Sequence, residues 1–219
     1  MALPFHKTYL SLCMLFVIGS GLWPASSSSS GSITTEDDVS SYVQDACSVT
    51  RYPEICIHSL SSYSNTARKD PSKWARAGVS VTITEAKVAA RYACRLKTRN
   101  SSRGRTRVAV SDCVELFQDT LDVLHNSLYA LRNITYDSSS SSSLSSSVVE
   151  DIMTWLSAAL TNEDTCLDGF NAAGSEDWLR GKDAGKGIRG LRDRVSKASY
   201  MTSNALALVN RLASSGSRN

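Results

Sequence analysis

Apolar residues recur at three- and four-residue steps along four long segments of this chain, and no segment alternates convincingly between apolar and polar residues. The three- and four-residue spacing places the apolar side chains on one face of an α-helix. The four apolar faces run through residues 74–96, 110–131, 148–160 and 188–212. The pattern therefore predicts four long amphipathic helices, each of roughly 20 to 28 residues.

Polar and helix-breaking residues mark the boundaries of these helices. Asp70 followed by Pro71 is typical of a helix start, because aspartate accepts backbone N–H groups and proline needs no hydrogen bond in the first turn. Residues 101–104 interrupt the apolar pattern, and a serine run over residues 138–147 forms a polar connection. Ser147 and Glu150 have the spacing of a capping box, so the third long helix is expected to begin there.

A shorter helical segment at residues 39–47 precedes the four long ones, and a turn at Tyr52 and Pro53 follows it. Amphipathic helices joined by turns pack most commonly as an antiparallel bundle. We therefore predict an all-α fold in one domain. It is an antiparallel, up-and-down four-helix bundle with an N-terminal helical hairpin extension.

The first 25 residues have the pattern of a secretory signal peptide. Lys7 precedes a short apolar segment at residues 9–23, and small residues follow it. The segment is shorter than the roughly 20 residues that a membrane span needs, so a signal anchor is the weaker alternative. We expect cleavage between residues 21 and 30, which leaves a secreted chain with no membrane span. The remaining boundaries are a serine-rich linker at 26–35, the bundle domain at 36–213 and a C-terminal tail at 214–219.

Secretion changes how the cysteines are interpreted, because disulfides form in oxidising compartments. The cysteines that remain after cleavage are Cys47, Cys56, Cys94, Cys113 and Cys166. This odd number predicts two disulfides and one remaining thiol, and the count alone does not determine the pairing. Neither zinc-ligand spacing nor a C-x-x-C redox motif is present, so we expect no metal and no cofactor.

The composition is that of a globular chain, with 42% hydrophobic residues, 21% charged residues and a formal net charge of +3. Basic residues nevertheless dominate from Arg91 to Arg107. This run lies within a longer stretch, between Glu85 and Asp112, that contains no acidic residue. Nucleic-acid binding is not expected, because the run has too few aromatic neighbours to stack bases. Attraction to an extracellular polyanion and an ordinary solvated helix end both remain open.

Two local motifs resemble binding loops but lack the context that such loops need. Residues 185–190 match G-x-G-x-x-G, yet no strand precedes them and no acidic residue follows at the distance of a dinucleotide site. We interpret them as a flexible, glycine-loosened entry into the last helix. Residues 164–169 resemble the start of a calcium loop, but Cys166 and Ser175 occupy positions that need oxygen ligands and a glutamate. No arrangement suggests catalysis, so we do not expect an enzyme.

Three acids and two sequons are the remaining surface features. Glu115, Asp119 and Asp122 step by four and three residues, so they share one face of the second long helix. One interpretation of these acids is a surface that recognises a partner. The residues alone favour the other interpretation, a helix face that is simply exposed to solvent. Asn100 and Asn133 each begin an N-glycosylation sequon near a helix end.

Four stretches of the chain together resemble one known family. They are Cys47-x8-Cys56 around Tyr52-Pro53, the acidic segment 112–122, Thr154-Trp155-Leu156-Ser157-Ala158-Ala159-Leu160-Thr161, and Thr165-Cys166-x-Asp168-Gly169-Phe170. This combination is similar to the plant invertase and pectin methylesterase inhibitor family, over about residues 35 to 213. The resemblance implies a four-helix bundle, a secreted cell-wall inhibitor without catalysis of its own, and the disulfides Cys47–Cys56 and Cys113–Cys166. Cys94 is then the odd thiol.

The resemblance also implies a partner and a binding surface. Inhibitors of pectin methylesterase cover the acidic catalytic groove of the enzyme with one side of the bundle, in a one-to-one complex. The positions that match their contacts are Glu115, Asp119, Asp122, Thr165 and Asp168. The Pro-Lys-Phe motif of the invertase inhibitors is absent, which favours the pectin methylesterase branch.

Two alternatives to this branch stay open. They are an inhibitor of acid invertase and a module that binds an extracellular polyanion, such as anionic pectin, through the run from Arg91 to Arg107. The family domain also occurs as the pro-region of pectin methylesterases, and we expect a free-standing inhibitor because the sequence ends at Asn219.

Overall fold

Helices form the regular secondary structure of the described part of this protein. The structure, a computed structural model, describes residues 36–99, 104–133, 146–172 and 182–216. The predicted signal peptide, the serine-rich linker and Asn100 lie outside these residues. No strand occurs within them. The chain divides between residues 34 and 35, and the described residues belong to the second unit.

Four long helices follow a group of short ones. The short elements are α1 (Glu36–Cys47), α2 (Pro53–Leu60), a 3₁₀ turn (Ser61–Tyr63) and α3 (Ser64–Ala67). The long helices are α4 (Pro71–Thr98), α5 (Gly104–Asn133), α6 (Ser146–Ala172) and α7 (Lys182–Gly216). None of these described helices is both long enough and apolar enough to cross a membrane. With 30 residues in α5 and 35 in α7, these two helices exceed the predicted lengths, because their polar ends carry no apolar pattern.

The predicted starts of α4 and α6 agree with the structure to different degrees. The Asp70 side chain accepts hydrogen bonds from the backbone N–H groups of Ser72, at 2.9 Å, and Lys73, at 3.3 Å, and Pro71 is the first helical residue. The predicted start of α4 is therefore confirmed. Helix α6 already begins at Ser146, one residue before the serine that was expected to cap it. The first helical residue expected after a cap at Ser147 is residue 148, and a difference of two residues is within the usual variation of helix boundaries.

The long helices pack as a ring in which α4 contacts α5, α5 contacts α6, α6 contacts α7, and α7 returns to α4. Neighbours run antiparallel: Gly78 of α4 lies against Leu208 of α7, whereas Leu96, further along α4, lies against Gly187, near the start of α7. The core inside the ring is mostly apolar and closed to solvent, with Phe117, Leu124 and Leu156 fully buried. The predicted all-α four-helix bundle with an N-terminal extension is thus confirmed.

The N-terminal extension packs on one end of the bundle. The Cys47–Cys56 disulfide joins α1 to α2, and a small apolar core forms between these helices, the start of α4 at Trp74 and the end of α7 at Leu208. Buried Asn204 of α7 bonds to both backbone groups of Tyr52, accepting from its N–H at 3.0 Å and donating to its carbonyl oxygen at 2.9 Å. These contacts join the extension to the bundle.

The glycines at the start of α7 correct one prediction. Gly185, Gly187 and Gly190 lie within the helix and do not form a flexible entry before it. A Cβ atom on Gly187 would lie 2.9 Å from Cδ2 of Leu96, and one on Gly190 would lie 2.6 Å from the Tyr92 hydroxyl. Both distances are shorter than a normal contact, so the absence of a side chain allows α7 to approach α4 closely.

Candidate functional site

A disulfide fixes the contact between α5 and α6, which we call the α5–α6 seam. Cys113 and Cys166 are bonded at 2.03 Å, with their Cα atoms 4.8 Å apart, and both residues are buried. One turn nearer the start of α5, a Cβ atom on Gly169 would lie 3.6 Å from Cβ of Ala109, an ordinary van der Waals contact. The two helices are therefore close, and residues beside the disulfide keep their positions relative to each other.

Helix α5 presents the three predicted acids to solvent, on the face that points away from the core. Glu115, Asp119 and Asp122 are all exposed, whereas Phe117 and Leu121 on the opposite side of the helix are buried. The acids follow Cys113 by two, six and nine residues, which places them about 3, 9 and 13.5 Å further along the helix axis. We call these three residues the acidic stripe.

Helix α6 contributes the other two predicted residues, which are also exposed. Thr165 directly precedes Cys166, and its hydroxyl donates to the Thr161 carbonyl oxygen at 2.7 Å. Asp168 accepts a hydrogen bond of 3.4 Å from the side-chain amide of Asn171. Because the disulfide ties Cys166 to Cys113, both residues lie at about the level of Cys113 along the bundle, close to the level at which the acidic stripe begins.

The prediction missed two exposed hydroxyl residues on the same helix. The side chains of Ser157 and Thr161 are exposed, and each donates to a carbonyl oxygen one turn earlier, at 2.8 and 3.0 Å. Thr161 lies five residues before Cys166, or about 7.5 Å along α6, which is close to the level of Asp119 on the antiparallel α5. The sequence signal was the four-residue spacing from Ser157 through Thr161 to Thr165.

The surface built by these residues offers hydrogen-bond acceptors to a partner. Carboxylates accept only, and a hydroxyl whose proton is already donated to its own helix keeps its oxygen lone pairs available. All four acids of this surface are exposed to solvent. The described residues also contain no group of three or more His, Cys, Asp or Glu side chains that could hold a metal ion. The arrangement suits recognition of a partner that presents hydrogen-bond donors.

One acid in the bundle was not foreseen at all. Glu163 of α6 is fully buried, and its Oε1 atom lies 2.9 Å from Oγ1 of Thr202 on α7. Burial disfavours the charged form and raises the pKa of the Glu163 carboxyl to about 8. Thr202 Oγ1 is also 3.0 Å from the Ala198 carbonyl oxygen. A protonated Glu163 therefore donates to Thr202, whose single proton goes to Ala198.

Two further predicted positions can be placed. Cys94 takes part in neither disulfide, and its half-buried side chain packs against the core from α4. Asn133 is exposed as the last residue of α5, a position that is open to glycosylation. Its modification remains a prediction, as does that of Asn100.

Comparison with known proteins identifies the class of protein that this bundle defines. A crystal structure of a mutant form of a pectin methylesterase inhibitor from Arabidopsis superposes with a TM-score of 0.54 and covers 75% of this chain and 92% of its own. Its sequence identity is 19%, so this likeness shows the shared fold. The sequence model of the plant invertase/pectin methylesterase inhibitor family matches residues 41–208 of this chain. The chain belongs to this family.

Relatives by sequence carry names from the same family. Pectinesterase inhibitor 6 of Arabidopsis thaliana is 42% identical over 193 residues, covering 86% of this chain and 85% of its own length. Pectinesterase inhibitor 10 of the same species is 39% identical, and the match spans 51% of its length. Pectinesterase 1 of Citrus sinensis is 34% identical over 170 residues, which are 27% of that protein. The same domain thus occurs both in proteins named as inhibitors and in one named as an esterase.

Proposed function

We propose that this chain is a secreted, non-catalytic inhibitor of plant pectin methylesterase that blocks the active-site groove in a one-to-one complex. The observation that carries the proposal is the exposure of all five matching residues on two neighbouring helices that a disulfide joins. Those residues are Glu115, Asp119, Asp122, Thr165 and Asp168. Relatives named as pectinesterase inhibitors, of which one is 42% identical over most of the chain, support the choice of enzyme.

The rigidity of the seam is the physical reason for its use in binding. Ordering of side chains and loops is a cost of association, and a surface that is already fixed avoids part of it. Here the Cys113–Cys166 disulfide holds both helices before the partner arrives. Each charge-assisted hydrogen bond from an enzyme donor to an exposed carboxylate then contributes on the order of 1 to 3 kcal/mol.

The location of the protein follows from the predicted leader. We propose that residues 1–25 direct secretion, that 26–35 link the leader to the inhibitor domain at 36–213, and that the inhibitor acts in the cell wall. Inhibition there would control how many methyl esters the enzyme removes from pectin. N-terminal sequencing of the secreted protein tests the leader, and a mature chain that still starts at Met1 would contradict it.

Titration of the purified protein against a plant pectin methylesterase tests the proposed target. We expect activity to fall linearly with added inhibitor and to reach its minimum at one inhibitor per enzyme. A parallel titration against acid invertase covers the other branch of the family. Inhibition of invertase alone, or of neither enzyme at micromolar excess, would reject the proposal.

Replacement of one central acid tests the proposed surface. Asp119→Ala should raise the inhibition constant roughly tenfold or more, because about 1.4 kcal/mol of lost contact corresponds to a factor of ten. The fold should be unaffected, since the side chain is exposed. Asp193→Ala on α7 is the matched control, because Asp193 is equally an exposed helical aspartate but lies off the α5–α6 seam. Equal inhibition constants for the two variants would show that the stripe is an ordinary solvated face.

A further inference from the structure

Basic residues gather at the end of the bundle where α4 ends and where α5 and α7 begin. These three helix ends are neighbours, because α4 contacts both α5 and α7 and runs antiparallel to α7. We call the following exposed cations at these helix ends the basic end: Arg91, Arg95, Arg99, Arg105, Arg107, Lys186 and Arg189.

Helix α4 supplies a regular row of three arginines. Arg91, Arg95 and Arg99 are exposed and follow one another at four-residue steps, so they lie on one stripe with about 6 Å between successive positions along the axis. The last acid of α4 is Glu85, which is already paired with Lys197 at 2.8 Å. Nothing on α4 beyond Glu85 neutralises the row.

Helix α7 is joined to this row through Tyr92. The guanidinium of Arg194 lies 4.1 Å from the centroid of the Tyr92 ring, and that of Arg95 lies 5.7 Å from it. Gly187 and Gly190 are the points of close approach between α7 and α4. Lys186 and Arg189 each directly precede one of these glycines, so both are placed beside the α4 contact.

Helix α5 extends the same surface with Arg105 and Arg107 in its first turn. The chain between residues 99 and 104 spans at most about 18 Å, so these arginines stay close to the end of α4. Cations in the first turn of a helix are unfavourable, because the N-terminal end of the helix dipole is itself positive. Among the described residues, no carboxylate lies within 4 Å of the charged groups of the basic end. These cations therefore have no direct ion-pair partner among the described side chains.

We propose that the basic end binds de-esterified pectin, the polyuronate that a pectin methylesterase leaves behind. This inference rests on the proposed function, because hydrolysis of each methyl ester releases methanol and creates a carboxylate on the polysaccharide. Six of the seven cations are arginines, whose planar guanidinium groups match carboxylates with two parallel hydrogen bonds. The inhibitor would thereby be retained where the enzyme has already acted.

The basic end lies well away from two of the acids of the proposed enzyme-binding surface. Asp119 and Asp122 lie 15 and 18 residues after Gly104, or roughly 22 to 27 Å along α5 from its start. Polysaccharide on the basic end therefore leaves that part of the acidic stripe accessible. A nucleic acid fits this end poorly, because Arg194 covers the Tyr92 ring that would stack a base. A lipid surface fits poorly as well, since Leu96 and Ile188 are buried and Val108 is the exposed apolar exception.

Affinity electrophoresis of the purified protein in gels that contain polygalacturonate tests the proposal. The variant Arg99→Gln/Arg107→Gln/Arg189→Gln removes one charge from each of the three helices. The control Arg51→Gln/Lys69→Gln/Arg132→Gln removes three exposed charges away from the basic end. We expect the first variant to bind polygalacturonate at least tenfold more weakly and the control to change less than twofold. Binding of the unaltered protein should weaken strongly between 50 and 300 mM salt.

Comparison with other ligands and with enzyme inhibition completes the experiment. Highly methylesterified pectin and vesicles of anionic phospholipid should both bind at least tenfold more weakly than polygalacturonate. Equal losses in the two variants, equal binding of esterified pectin, or preference for the vesicles would each overturn the proposal. The basic-end variant should still inhibit pectin methylesterase on short methylesterified oligosaccharides. If neither the unaltered protein nor either variant inhibits the enzyme, the proposed function is rejected. The polygalacturonate binding experiment is still interpreted on its own, because it does not depend on inhibition.

Discussion

The bundle holds its two surfaces in place by different means. At the α5–α6 seam, a disulfide between Cys113 and Cys166 connects the helices, and the acidic stripe occupies the exposed face of α5. Where α4 meets α7, there is no such bond among the described residues. Gly187 and Gly190 there allow α7 to approach α4, and an arginine stacks on Tyr92.

This difference suggests how each surface recognises its partner. A covalent bond limits relative movement of two helices, which suits an interface that must match the groove of one enzyme. A contact that depends on packing and on stacked side chains has more freedom. Such freedom is acceptable for a flexible polymer, whose charges are attracted by the total field of the surface. The α5–α6 seam and the α4–α7 contact should accordingly respond differently to substitution.

Removal of the α5–α6 disulfide should have the largest effect. The Cys113–Cys166 bond closes a loop of 53 residues, and the chain-entropy relation for such a loop corresponds to about 4 kcal/mol of unfolding free energy. Cys113→Ser with Cys166→Ser should therefore lower the unfolding free energy by about that amount in denaturant titrations. It should also weaken inhibition of pectin methylesterase, because the acidic stripe loses its fixed position relative to Thr165.

The second disulfide provides the matched control. Cys47–Cys56 has a sequence separation of 9, so the same relation gives about 2.5 kcal/mol. Cys47→Ser with Cys56→Ser should lower stability less and leave the inhibition constant of the folded fraction nearly unchanged. If both double variants lose inhibition equally, the α5–α6 seam has no special part in binding.

Helix α6 also meets α7, and there the packing should make stability depend on pH. Burial raises the pKa of Glu163 to about 8, whereas an unfolded glutamate titrates near 4.3. Between these values the native state binds more protons than the unfolded state, so stability must fall as pH rises. The contribution of the neutral carboxyl is complete below about pH 4 and is lost as pH passes 8.

Unfolding titrations at pH 5 and pH 7 measure this dependence. A slope of at most about 1.4 kcal/mol per pH unit allows a loss of up to about 3 kcal/mol over this range. Glu163→Gln keeps a neutral side chain of the same shape and should remove most of the slope. Asp151→Asn, on the exposed surface of the same helix, should leave the slope unchanged. A wild-type protein with equal stability at the two pH values would contradict a neutral Glu163.

The sequence predicted the architecture well because helix signals are local. Apolar spacing identified the four long helices, and Asp70 with Pro71 marked a start that the structure confirms. Glu163 shows how a local signal can be missed. It lies four residues after Ala159 and three before Cys166, so it occupies the buried face of α6. The predicted apolar face of this helix ended at residue 160, so a glutamate nearly one turn further on was not recognised as buried.

Features that depend on a neighbouring helix were harder to predict. Gly187 and Gly190 suggest flexibility in isolation, and only Leu96 and Tyr92, almost a hundred residues away, explain them as points of close approach. The acidic stripe was placed correctly on one exposed helix face, but helical spacing alone gives an exposed face no function. The five proposed contact residues were selected by family resemblance, and their role remains a proposal.

A pair of glycine-to-alanine substitutions compares the α5–α6 seam with the α4–α7 contact directly and should have the smallest effect. Alanine is about 1 kcal/mol more favourable than glycine inside a helix. Gly169→Ala should realise much of this gain, because its Cβ would meet Ala109 at an ordinary 3.6 Å. Gly190→Ala places a Cβ 2.6 Å from the hydroxyl of Tyr92, whose ring is held under Arg194, so overpacking should exceed the gain by about 1 kcal/mol. Thermal unfolding should therefore separate the variants by roughly 2 kcal/mol; equal stabilisation would mean that Tyr92 moves aside and that the α4–α7 contact is looser than the structure indicates.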